Sequence, residues 1–167
     1  MPRRFAEHTE VSVGKSRAEI DELLRAWGCD AIRWTDSYAT GQVTVEFVWR
    51  HEEASYHARF SLRLPSEEEL RAEAIDGRTR RPSASKYEKA RAALGRREHR
   101  FLLLWLRAAL NVVDEGIIPA EALFLPFLVA RNGRTVAETA LPRLTTLLEA
   151  GTADGLFGLP ERAGKGR

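Results

Sequence analysis

The chain has one cysteine, Cys29, and one methionine, at position 1. A single thiol cannot close an internal disulfide, and no CxxC pair exists for zinc or redox chemistry. A lone cysteine just past a helix end reads as a small buried apolar group. Long apolar runs are also missing. The most apolar stretch, Phe101 to Leu106, meets Arg107 after six residues, whereas a membrane-spanning helix needs about 20. Met1 to Phe5 carries two arginines, but no apolar segment of signal-peptide length follows. The expected setting is cytoplasmic, away from membranes. Net charge is nearly absent too: 26 Lys and Arg stand against 24 Asp and Glu. That balance excludes a chain whose whole surface binds polyanions.

Catalytic signatures are equally scarce. There is no Walker phosphate loop, no GxGxxG and no GxSxG nucleophile elbow. His51-Glu52-Glu53-Ala54-Ser55 begins like a zinc-protease helix but has serine where the second histidine belongs. His51, Glu53 and His57 are read as side chains of a surface loop rather than metal ligands. Asp114-Glu115 is an acidic pair beside a helix C-terminus, and Asp30, Asp36 and Glu46 are scattered. The expectation is a non-enzymatic protein with no cofactor, no metal and no catalytic residues.

What is present is a foldable domain, 44% apolar and 30% charged over 167 residues. Ser16-Arg17-Ala18-Glu19 has capping-box spacing, with Ile20, Leu23, Leu24 and Trp27 following on one helical stripe and Gly28 placed to stop it. Val11 to Val13 reads as a short strand or an extended lead-in. Strands are expected at 31–35, 42–50 and 56–64. In the last two, Val43, Val45, Phe47, Trp49 and Tyr56, Ala58, Phe60, Leu62 and Leu64 fall on one side by the two-residue period. Pro65 ends the third strand. A further helix is expected from Ser66, losing its spacing near Ile75.

Ser85-Lys86-Tyr87-Glu88 opens the longest helix, about 30 residues, which Gly116 caps and Gly95 interrupts. Tyr87, Ala90, Leu94, Phe101, Leu102, Trp105, Ala109 and Val112 are expected on its inner face. Pro119 starts another helix over 120–130 that Pro126 bends or ends. Arg131 to Arg134 is a turn, and Thr135-Val136-Ala137-Glu138 caps a last helix to Ala150. The fold class is therefore α+β: an N-terminal helix, a three-stranded antiparallel meander, then a long helix and a helical C-terminal part. The expected division is a meander subdomain at 1–75, a basic linker at 76–85, a helical part at 86–160 packing on the sheet, and a frayed tail at 161–167.

Charge is unevenly placed. Residues 78–107 hold ten Lys and Arg and two acids, an excess of eight positive charges, while the rest of the chain is negative by six. A phosphate backbone rewards such a cluster by counterion release, independent of sequence. The face of the strands opposite Val43 and Phe60 adds Arg33, Arg50, His57, Arg59 and Arg63, with Glu46 as the acidic exception. Exposed aromatics for base stacking are few, Tyr38 and Tyr87 being the only ones. Trp27, Trp34, Trp49, Phe47, Phe60, Phe101 and Trp105 read as core.

The stretch from Val11 to Leu64, the helix ending in Asn111-Val112-Val113-Asp114-Glu115-Gly116-Ile117, Glu121 to Pro126 and Gly133 to Val136 resemble a group of small bacteriophage- and prophage-encoded proteins with no established activity. The order helix, three-stranded meander, long helix is also similar to the core of single-strand annealing proteins, a likeness of fold alone. The resemblance implies a place in replication, recombination or host takeover. Together these readings lead to the expectation of a nucleic-acid-binding accessory protein, single-stranded DNA being one ligand. Its phosphate contacts would be Arg78, Arg80, Arg81, Lys86, Lys89, Arg96, Arg97 and Arg100, helped by Arg59 and Arg63. The alternative is a non-catalytic protein that docks a protein partner or itself through Leu123, Phe124 and Phe127, in the dense apolar run 123–128.

Overall fold

The structure, a computed structural model, describes residues 9–37, 40–64 and 84–149; at 84–87 and 147–149 it describes the backbone alone. Helix α1 (Val13–Trp27) starts one turn earlier than the capping box implies. Ser12 is the N-cap, its hydroxyl accepting from the Lys15 amide at 3.2 Å. Ser16 instead lies in the second turn, fully buried. Gly28 ends the helix as expected, in the left-handed region at φ 101°, with the Cys29 amide donating to Leu24 O at 3.0 Å.

Strands β1 (Ala31–Ser37), β2 (Gln42–His51) and β3 (Ala54–Arg63) form an antiparallel meander in the order β1-β2-β3. Trp34 lies opposite Val45, and Val45 opposite Phe60, so the alternating apolar residues share one face. Glu52 makes the tight β2–β3 turn with φ 54°. Beyond β3, Leu128 bridges to Ala58 and the Val129 amide donates to His57 O at 2.8 Å, covering that edge of the sheet.

Helix α2 (Ala84–Asp114) packs with α1 on the apolar face of the sheet. It runs through Gly95 without a break. Gly95 is buried, and a Cβ there would stand 3.7 Å from Val13 Cγ2 and 4.0 Å from the Leu64 methyls. The inner face of α2 is turned from the expected one. Gly95, His99, Leu102, Leu103, Leu106 and Leu110 are buried, whereas Phe101 and Trp105 are 37% and 39% exposed. At 100° per residue this is a rotation of roughly a quarter turn or more. Gly116 closes α2 at φ 68°, with the Ile117 amide reaching Val112 O.

The expected 120–130 helix is only α3 (Ala120–Leu123), followed by a 3-10 turn at Leu125–Phe127, because Pro126 cannot extend the ladder. Phe124 swings inward to the centre of the aromatic core, with ring centroids 5.6 Å from both Phe47 and Trp49. Thr135 and Glu138 form the expected capping box: the Glu138 carboxylate accepts from the Thr135 amide at 2.8 Å and the Thr135 hydroxyl from the Glu138 amide at 3.2 Å. They open α4 (Val136–Glu149). One core joins α1, the sheet, α2 and α3. Among the described residues no helix is long and apolar enough to cross a membrane. Pro65, the helix expected from Ser66 and residues 76–83 of the linker lie outside the described residues, as do Tyr38 and the 161–167 tail.

Candidate nucleic-acid interface

Helical periodicity sorts the cations of α2. Lys89, Arg96, Arg100 and Arg107 are seven, four and seven residues apart, which places them in a sector about 40° wide along roughly 27 Å of axis. That sector lies to one side of the buried stripe. Lys89 and Arg107 are exposed, and nothing among the described residues pairs with them. Arg96 donates through Nε to Thr9 O at 3.2 Å. Arg100 donates to Glu19 of α1 at 2.8 Å. Arg97 is held by its neighbour Glu98 at 2.9 Å. Part of the positive charge is thus compensated within the fold. Arg78, Arg80 and Arg81 lie outside the described residues, as does the Lys86 side chain.

The expected sheet residues point to the other side of the sheet from α2. Arg59 donates to Glu46 at 2.9 Å and to Gly133 O at 2.8 Å, and Arg63 shares its face by strand alternation. Glu46 is the hub there: nearly buried, it also accepts from Arg33 and lies 3.3 Å from His57 Nε2. Burial raises the Glu46 carboxyl pKa, but the Arg33 and Arg59 hydrogen bonds and charges outweigh that and hold it below its ordinary value. The outer sheet face is therefore a closed charge cluster, not the open basic row its alternation suggests.

A second polar cluster was not legible in any local pattern. Arg17 on α1 donates both terminal nitrogens to Asp36 on β1, at 2.9 and 2.5 Å, and its Nε–H to His99 Nε2 on α2 at 3.1 Å. His99 Nδ1–H donates to Gly95 O at 2.7 Å. With both nitrogens so assigned, His99 is the neutral Nδ1–H tautomer. Trp34 stacks on His99 at 5.8 Å, and the Arg17 guanidinium sits 4.7 Å from the Trp34 ring centroid. Burial, opposed by the Gly95 bond, lowers the His99 pKa, while hydrogen bonding from Arg17 lowers that of Asp36. Arg17, Asp36, Gly95 and His99 line a cleft of about 450 Å³ whose rim carries Glu88, Arg91 and Arg96. Asp36 was visible in the sequence only as a scattered acid, because its partners are 19 and more residues away.

The remaining candidates resolve simply. His51 pairs with Glu121, Arg50 with Asp30 at 3.1 Å, and no group of three or more His, Cys, Asp or Glu among the described residues is placed to hold a metal. Cys29 is half-buried, and desolvation followed by the Asp30 charge pushes its thiol up to about 12. Of the apolar trio 123, 124 and 127, Phe124 is in the core, while Leu123 and Phe127 are partly buried against it, Phe127 stacking on Phe60 at 4.2 Å. Beyond α2, the large apolar side chains exposed among the described residues are Ile117, Ile118, Leu125, Leu141 and Leu144 instead. No protein-family model, curated protein or solved structure matches the chain.

Proposed function

We propose that the protein binds the phosphate backbone of nucleic acid along the outward flank of α2, without sequence specificity. Single-stranded DNA is the favoured form, in an accessory role in replication or recombination. The observation that carries this reading is the alignment of Lys89, Arg96, Arg100 and Arg107 in one sector of α2. At about 3.4 Å per phosphate in a stacked strand, that row matches roughly eight phosphates. The start of α2 supports the same reading. Lys86 and Lys89 fall in its first two turns, and no acid occupies the first turn. Cations at the positive end of a helix cost about 0.3–1 kcal/mol each, and a bound polyanion offsets that cost.

Fluorescence anisotropy with a labelled single-stranded oligonucleotide tests the reading. Binding is expected at about 50 mM salt, with log K falling against log salt at a slope near −0.7 per phosphate neutralised. The double variant Lys89→Gln, Arg107→Gln should weaken binding and flatten that slope by about 1.4. Absence of binding at about 50 mM salt rules the proposal out.

A further inference from the structure

We infer that the cleft between the first turn of α1, the end of the sheet and the first half of α2 is a subsite for one nucleotide unit, with the phosphate at its arginine rim and the sugar and base over its aliphatic floor. This rests on the backbone-binding reading above. At about 450 Å³ the cleft is in the size range of small-molecule sites. Val13, Val43 and Leu64 make the floor, and Gly95 leaves it open by having no side chain.

The polar parts divide into a wall and two rim arginines. Arg17 donates from all three guanidinium nitrogens, to Asp36 and His99, and Trp34 stacks against it, so it is held as a wall of the cleft. Arg91 is exposed, and nothing among the described residues pairs with it. Among the described residues Arg96 uses only Nε, on Thr9 O, so its terminal nitrogens have no partner there and can face a ligand. Two guanidinium forks on one rim suit the oxygens of a phosphate monoester. Inorganic phosphate leaves the aliphatic floor unused, and an uncharged apolar ligand leaves the rim unused. A nucleotide engages both. Arg96 also belongs to the outward row, so a strand on that row reaches the cleft at this corner.

Glu88 stands on the same rim and opposes an anion. It thereby supplies a discriminating experiment, because Glu88 and Arg91 are both exposed and substituting either leaves the core untouched. Deoxythymidine 5′-monophosphate is titrated into the full chain with methyl-labelled Val and Leu, alongside thymidine and inorganic phosphate. The nucleotide should shift the Val13, Val43 and Leu64 methyls, with each fragment binding at least about tenfold more weakly. Arg91→Gln should weaken nucleotide binding about fivefold, and Glu88→Gln should tighten it about threefold. Unmoved floor methyls, or affinities indifferent to both substitutions, overturn the inference. If an oligonucleotide still binds at low salt while these methyls stay still, only the cleft assignment fails. If the mononucleotide binds there and no oligonucleotide binds, the subsite stands and the backbone reading falls.

Discussion

His99 is 1% exposed and has both ring nitrogens committed, one donating to Gly95 O and one accepting from Arg17. A second ring proton would displace the Arg17 donor, in a site already poor in solvent. The folded chain therefore refuses a proton that the unfolded chain accepts near pH 6.5, the ordinary histidine value. Stability should fall as pH drops below about 6.5 and level off only below the folded-state pKa. Asp36 and Glu46 act in a lower window. Both are held below their ordinary values of 3.8 and 4.5, so the stability they add is present above those values and lost on further acidification. Urea midpoints measured from pH 7.5 to 5 should decline for the wild type, and His99→Gln should remove most of that decline, since the amide can donate to Gly95 and accept from Arg17 without titrating. An unchanged slope in the variant would show that His99 is not the titrating group. None of this was readable from the sequence, where His99 was one more polar residue of a charged helix. Its role depends on partners 82 residues apart in the chain.

At the scale of single elements, legibility follows how local the deciding contacts are. The stops at Gly28 and Gly116 and the Thr135–Glu138 box are settled within one turn of chain, and the sequence pattern identifies all three correctly. Thr135→Ala removes the hydroxyl that accepts from Glu138 N and should cost about 1 kcal/mol. The loss is measurable as a lower urea midpoint at unchanged slope, and a variant as stable as wild type would mean α4 gains nothing from its cap. The strands were legible because two-residue alternation leaves one choice of face once Phe47 and Phe60 must be buried. The rotation of α2 was not. Residues 101–106 are all apolar, so periodicity carries no phase there, and Phe101-Leu102-Trp105 and Leu102-Leu103-Leu106 are equally good stripes. Tertiary packing selects the second: α1 approaches α2 at Gly95, where a Cβ would stand at van der Waals distance from Val13, and His99 is captured by Arg17. Likewise Ser12 is the cap and Ser16 lies buried inside the helix, which the capping-box spacing does not show.

For the molecule as a whole, the near-zero net charge conceals a polarity that internal pairing only partly cancels. On the outer sheet face Glu46 gathers Arg33, Arg59 and His57 into a closed cluster. On the α2 flank the corresponding acid is Glu19, which ties Arg100 between two row members, Arg107 and Lys89, that have no partner among the described residues. The two faces thus make opposite predictions for charge removal. Glu19→Gln deletes a carboxylate inside the row and frees a guanidinium there, so oligonucleotide affinity should rise about three- to tenfold at low salt and the salt slope should steepen by about 0.7 as one more phosphate is neutralised. Glu53→Gln makes the same change in net charge in the exposed β2–β3 turn. Glu53 is exposed and belongs to no ion pair with the row, so its charge acts only through the salt-screened overall field and affinity should barely move. Equal gains in both variants would mean that the protein attracts polyanions by overall charge with no defined interface. A gain confined to Glu19→Gln places the phosphate path on α2, since only a cation in direct contact contributes to the slope as well as to the affinity.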